Sequence, residues 1–273
     1  MASTQAAGIA ESLRQFRQWL DDMADPRTKD WFLCGGPETI LVIWLIYLVG
    51  VIAGPRLMRD RPAMNLRGVA LVYNFVLVLL SVYMAHEFFW SAWLAGYNLA
   101  CDPVDYSDSP LAMRMASVCW WFYVSKVIEL MDTVLIVLRK KNEQLSFLHI
   151  YHHATMILLW WSGARYVPGG HSFFCALLNS SVHVFMYLYY FLALLGPHMR
   201  KYLWWKRYLT QMQLLQFLLF SVHSFVNIMQ PNCGFPRGYS ISVVIYGISL
   251  MLLFGNFYRN AYKRTSGARK VAD

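Results

Sequence analysis

Long apolar runs, each about twenty positions long and separated by short polar or basic stretches, dominate the chain. A helix needs roughly 20 apolar residues to cross the hydrocarbon core of a bilayer. The pattern predicts seven such helices, over 38–54, 67–93, 112–138, 145–163, 172–195, 203–229 and 239–259. The first is short and ends at Gly54-Pro55. Segment 1–37, with Glu11, Arg14, Arg17, Asp21 and Asp22, is polar and unlike a signal peptide. The expected fold is all-α: a single polytopic membrane domain over 1–273 with seven transmembrane helices and a basic tail at 260–273. Composition agrees. The 273 residues are 58% hydrophobic and 14% charged, against roughly 25% charged in soluble domains. No room is left for a separate soluble domain.

Charge then orients the bundle. Seven spans put the termini on opposite sides. One set of loops carries 16 basic residues, among them Arg56, Arg139, Lys140, Lys141, Lys206, Arg207 and Arg264; the other carries seven. Cytosolic loops are enriched in Lys and Arg, so the C-terminus is expected in the cytosol and the N-terminus on the far side. The net charge of +9 is mostly this asymmetry. The same basic face suits a polyanionic soluble substrate; nothing in the pattern calls for nucleic acid.

Ionisable residues inside spans are costly and mark function. The third span holds Lys126, Glu129, Asp132 and Thr133; the fourth holds His149, His152 and His153. The fifth holds Asn179 and His183, followed by Tyr187, and the sixth Thr210, Gln213 and Gln216. Each set recurs at helical spacing and so shares a face. Counted from the expected span ends at 1.5 Å per residue, all four fall between the cytosolic half and the midplane. One polar site between four helices explains this better than four accidents. For the Lys126 stripe, an ion pair fixing helix packing is as good a reading as catalysis, and the glutamines could be interhelical glue. A lone His86 or His223 reads as core packing. Three buried imidazoles in one cluster have no cheap structural use.

Imidazole is a good iron ligand, so a histidine-box desaturase or hydroxylase is one reading. A histidine-only di-iron site needs around eight such ligands, and only His149, His152, His153 and His183 of this chain's eight histidines are placed to converge. Nucleophilic catalysis fits better: a neutral imidazole can attack a thioester and form an acyl-imidazole. Neighbouring histidines can move protons, and Asn179, Gln213, Gln216 and tyrosines can steady an oxyanion. Among the cysteines, Cys101 and Cys233 fall in far-side loops, where an oxidising lumen would let them pair. Cys119 and Cys175 lie in spans as small hydrophobes, and Cys34 has no evident partner.

Four motifs, in order, resemble those of the very-long-chain fatty acid elongases, the ELO-type membrane 3-ketoacyl-CoA synthases. Lys126-Val-Ile-Glu129-Leu-Met-Asp132-Thr133 is similar to KxxExxDT, and His149–His153 to the HxxHH box. His183-Val-Phe-Met186-Tyr187-Leu-Tyr189-Tyr190 is similar to HxxMYxYY, and Thr210-Gln-Met-Gln213-Leu-Leu-Gln216 to TxxQxxQ. The likeness extends from about residue 25 to 262 and is closest to the animal, insect-like subgroup acting on saturated and monounsaturated acids. It implies condensation of acyl-CoA with malonyl-CoA in the endoplasmic reticulum membrane, without metal, ATP or other cofactor. It implies that helices two to seven enclose an acyl-chain tunnel, that His152 is the acyl-accepting nucleophile with His183 a site partner, and that Cys101 and Cys233 form a disulfide. Arg139, Lys140, Lys141, Lys206, Arg207 and Arg264 are the expected holders of CoA phosphates. Membrane lipids, the reductases and dehydratase of the cycle, and a second copy of the chain are candidate partners. The chain ends Arg269-Lys270-Val271-Ala272-Asp273, without the dilysine retrieval signal many members carry.

Overall fold

The computed structural model describes residues 2–263, so Arg264 and the rest of the basic tail lie outside the described residues. The helices are α1 (Ala2–Asp22), α2 (Pro37–Leu57), α3 (Arg67–Leu94), α4 (Pro110–Ile128), α5 (Met131–Leu138), α6 (Phe147–Tyr166), α7 (Phe173–Leu194), α8 (Lys206–Ile228) and α9 (Arg237–Tyr258). Among the described residues there is no strand. Five segments are long and apolar enough to cross a membrane: Pro37–Leu57, Arg67–Leu94, Gly170–Leu194, Lys206–Ile228 and Arg237–Tyr262. Their outward faces leave large aliphatic side chains bare, including Ile46 and Val49 of α2, Val72 of α3 and Leu252 of α9. Such a surface suits hydrocarbon, where the backbone must also satisfy its own polar groups as helix. The chain is an all-α polytopic membrane protein.

Two of the seven expected spans look different. The 112–138 segment is not one helix but two, α4 and α5, separated at Glu129-Leu130. There the backbone tightens: Leu130 N–H donates to Val127 O, Asp132 N–H to Glu129 O and Thr133 N–H to Leu130 O, at 3.1–3.2 Å. A tight turn with three residues per revolution stacks positions i, i+3 and i+6, which is the spacing of Lys126, Glu129 and Asp132. The 145–163 segment is one helix, α6, but three histidines and Arg165 make it too polar to stand alone in lipid. Both polar elements are shielded by neighbours. Packing runs α3 to α4, α4 to α6, α6 to α9, α9 to α8, α8 to α7 and α7 back to α3, closing a ring, while α2 sits outside against α5 and α6.

The polar N-terminal segment is largely α1, a helix whose apolar stripe of Ile9, Leu13, Phe16, Trp19 and Met23 is exposed. It is tied to the bundle by Arg17 to Glu38 at 2.6 Å and by the Asp21–Arg165 ion pair. Arg165, counted in the sequence among far-side loop charges, is instead buried, and also donates to the Cys34 carbonyl at 2.6 Å.

At one end of the ring Cys101 and Cys233 are joined by a disulfide, with Cα atoms 5.7 Å apart. The 101–107 loop folds over the α6–α7 connection, and His171 N–H donates to the Asp102 carbonyl at 2.8 Å. Gly170 permits this approach. It has φ +55°, and a Cβ there would lie 2.9 Å from Asp102 O and from Val104 N. Gly170→Ala is therefore expected to destabilise the protein by about 1–3 kcal/mol, read as a lower unfolding midpoint in detergent; an unchanged midpoint would contradict this packing.

Candidate active site

The histidine cluster is set by how α6 starts. The Ser146 hydroxyl caps the helix, accepting from the His149 N–H at 3.2 Å, which supplies one of the donors a helix start leaves unpaired. The three histidines then occupy the first two turns. Spacing of three and four residues brings the rings together, with centroids 4.3 Å apart for His149 and His153 and 5.5 Å for His152 and His153. Two rings are anchored to other helices. His149 Nε2 lies 2.8 Å from Thr133 Oγ1 of α5, and Thr133 is 3.3 Å from the Tyr47 hydroxyl of α2. His152 Nδ1 lies 3.2 Å from the Tyr246 hydroxyl of α9.

A second cluster joins α4 and α7. Lys126 Nζ donates to Glu129 Oε1 at 2.8 Å and to Asn179 Oδ1 at 3.1 Å. His183 Nδ1 is 3.3 Å from the same Glu129 oxygen. Lys126 and Glu129 are 2% and 3% exposed, so this is a fully enclosed ion pair. The Tyr187 hydroxyl donates to Asp132 Oδ2 at 2.9 Å. On α8, the Gln213 amide reaches only the Met186 sulfur, at 3.7 Å, and the buried Gln216 Oε1 has no hydrogen-bond partner.

These groups border two cavities. The larger, of about 780 Å³, runs from Arg139, Lys141 and Lys206 to the histidines. Glu129, Asp132, His149, His152, His153, Asn179, His183, Tyr187, Gln213 and Gln216 all line it. The smaller, of about 120 Å³, is mostly apolar, bordered by Met156, Trp160, Phe220 and Leu250, and ends at Val167, His171 and Phe235 beside the disulfide loop. Only His152, Asn179, Gln216 and Phe217 line both. His152 thus stands where a polar chamber meets an apolar one.

Three of the residues named from sequence sit outside both linings. Lys126 touches the site only through Glu129, Asn179 and His183. Lys140 Nζ donates to the Arg59 carbonyl at 2.9 Å, and Arg207 Nε to the Tyr258 hydroxyl at 2.7 Å. The lone histidines also divide. His86 is not core: its side chain is 57% exposed, beside Glu87. His223 is buried, but it stacks on His171, with centroids 3.7 Å apart, and His171 is buried rather than a loop residue in solvent. Cys175 is only partly buried and lines the smaller cavity, unlike the enclosed Cys119.

Tyr246, Thr155 and Phe217 were not singled out in the sequence. A single tyrosine or phenylalanine in an apolar helix carries no spacing signal, and only the meeting of α6, α8 and α9 reveals them. Among the described residues, no three His, Cys, Asp or Glu side chains are grouped so as to hold a metal ion.

Residues 32–270 match the family model described as ELO, the GNS1/SUR4 family. The chain is 44% identical over 258 residues to very long chain fatty acid elongase 7 of Drosophila melanogaster, covering 94% of this chain and 78% of that protein. It is 47% identical over 248 residues to very long chain fatty acid elongase 1 of Mus musculus, covering 90% and 88%. With very long chain fatty acid elongase 4 of Homo sapiens it shares 45% identity over 249 residues, covering 91% and 79%.

Removing one member of an enclosed ion pair strands the other charge, at a cost of about 3–5 kcal/mol. Lys126→Met is therefore expected to lower the unfolding midpoint sharply. Adding Glu129→Gln to it should restore much of the loss, since two neutral groups of similar size need no counter-charge. A double variant no more stable than Lys126→Met would show that the pair does not act as a unit.

Proposed function

Because the chain belongs to the GNS1/SUR4 family, we propose that it is a very-long-chain 3-oxoacyl-CoA synthase. It condenses long-chain acyl-CoA with malonyl-CoA to give 3-oxoacyl-CoA, carbon dioxide and CoA, the first step of fatty acid elongation. The observation that carries this reading is the position of His152 at the junction of the two cavities. A thioester lying there would place its fatty chain among apolar side chains and its CoA toward Arg139, Lys141 and Lys206. Fixed cations hold phosphate, and apolar burial holds the chain.

The reaction is read as ping-pong. His152 attacks the thioester carbonyl, a C–N bond forms, the C–S bond breaks, and CoA leaves as a thiolate that takes a proton from water. Malonyl-CoA then loses carbon dioxide, and the resulting enolate attacks the acyl carbon on His152. A C–C bond forms, the C–N bond breaks, and the imidazole is released unchanged. Decarboxylation drives the step, so no metal, ATP or redox cofactor enters. Asn179, at the same junction, and the unpaired Gln216 amide are placed to receive the developing oxyanion. His183, held by Glu129, and Gln213 border the space where malonyl-CoA would bind. The histidine-box oxygenase is not favoured, as the relatives are named as elongases.

In this reading the ring of α3, α4 with α5, α6, α7, α8 and α9 forms an acyl tunnel, and α2 adds a seventh span. The bundle sits in the endoplasmic reticulum membrane with the N-terminus lumenal and the basic face cytosolic, as the charge asymmetry supports. Malonyl-CoA and acyl-CoA enter from that face, and the product passes to the reductase and dehydratase steps of the cycle.

His152→Ala is expected to abolish two-carbon extension from labelled malonyl-CoA while leaving protein yield near normal; retained turnover would remove the covalent step. Intact-mass spectra of the wild-type protein given acyl-CoA alone should show one added acyl group. Metal analysis of the purified protein should find no stoichiometric iron or zinc. Lys206→Glu should raise KM for acyl-CoA with little change in kcat, and the gap should narrow at high salt as the charges are screened.

A further inference from the structure

The hydroxyl chain behind His152 fixes which ring nitrogen carries its proton. Thr155 Oγ1 lies 2.6 Å from the Tyr151 carbonyl and 3.0 Å from the Tyr246 hydroxyl. A threonine hydroxyl has one proton, and a carbonyl can only accept. The Thr155 proton therefore goes to the Tyr151 carbonyl, the shorter contact. Thr155 Oγ1 must then accept from Tyr246. With its own proton committed to Thr155, the Tyr246 oxygen offers only lone pairs to His152 Nδ1, 3.2 Å away. Nδ1 must be the donor.

We propose that Tyr246 and Thr155 are positioning residues that lock His152 as the Nδ1–H tautomer, leaving an unprotonated Nε2 as the nucleophile. The inference rests on the reading of His152 as the acyl acceptor. In a neutral imidazole one nitrogen donates and the other carries the lone pair, and the partner of the first decides which is which. No protein group within hydrogen-bond distance is found at Nε2. Attack from Nε2 with Nδ1–H retained gives a cationic acyl-imidazolium, a better acyl donor than a neutral adduct. Collapse with the malonyl-derived enolate then returns neutral His152 with no proton to be moved at that step. The relay also explains an otherwise odd feature of α9: a tyrosine facing into an apolar ring, with its hydroxyl directed at α6 rather than at solvent.

The relay makes an unusual prediction for substitution. Tyr246→Phe removes the Nδ1 partner and frees the ring to exchange tautomers; kcat should fall about tenfold, the cost of one hydrogen bond, with KM for acyl-CoA nearly unchanged. Thr155→Val keeps the shape but takes away the acceptor for the Tyr246 proton. That proton then turns to His152 Nδ1 and enforces the wrong tautomer, so kcat should fall by about a hundredfold. The double variant Thr155→Val, Tyr246→Phe should recover to the level of Tyr246→Phe alone. A merely structural role gives losses that multiply instead, and that result overturns the proposal. In parallel, nitrogen NMR of the full-length protein labelled at histidine reports the tautomer directly, with the His152 signals assigned by their loss in His152→Gln. The wild type should show Nδ1–H and Thr155→Val should show Nε2–H. An Nε2–H wild type sinks the relay even if no variant folds. An Nδ1–H wild type that never gains an acyl group on acyl-CoA sinks the nucleophile assignment and leaves the relay standing.

Discussion

A charge cannot remain alone among helices packed in hydrocarbon, and the Lys126–Glu129 pair shows how this chain meets that constraint. The pair is closed off between α4 and α7, with Asn179 and His183 completing its hydrogen bonds. Burial of this kind gains little net stability, because desolvation offsets the attraction. What it gives is placement. It fixes α7 against α4, orients His183, and leaves the backbone at Glu129-Leu130 in a tight turn. That turn carries Asp132 and Thr133 round to Tyr187 and His149 on two other helices.

The same logic separates the two ends of the site. Polar groups that must work in a dry interior are gathered on one side of His152, where a large chamber reaches cations. The other side is lined by Met156, Trp160, Phe220 and Leu250 and closes under the disulfide loop. Four residues share both linings, so a molecule with a charged head and a long apolar tail meets the chemistry at one point of its length. The far end is built to stay shut: Gly170 lets the 101–107 loop lie on the α6–α7 connection, and the disulfide ties that loop to the α8–α9 connection.

Much of this was legible along the chain because periodicity is a local property. Apolar runs located α2, α3, α7, α8 and α9, and helical spacing put His149, His152 and His153 on one face. The stripe at Lys126, Glu129 and Asp132 was also visible, though the continuous helix expected through it was not found. A three-residue spacing fits a tightened turn as well as one side of an α-helix, and which is adopted depends on partners outside the segment. The helix α1 was hidden in a polar segment whose stripe from Ile9 to Met23 looks sparse beside the spans. The His171–His223 stack joins residues 52 positions apart, and no local pattern foretells it.

The sequence by itself determined the class of fold, the choice of imidazole chemistry and the band of the membrane where that chemistry lies, since each follows from which side chains tolerate hydrocarbon and which need a partner. The tertiary structure alone decided what each polar group faces. Tyr246, Thr155 and Phe217 gain their meaning from three helices meeting, and Lys140 and Arg207 turn away from the cavity despite their charge. Hydrophobicity and helical period are written along one dimension, whereas hydrogen bonds between helices depend on rotations and depths that only packing sets.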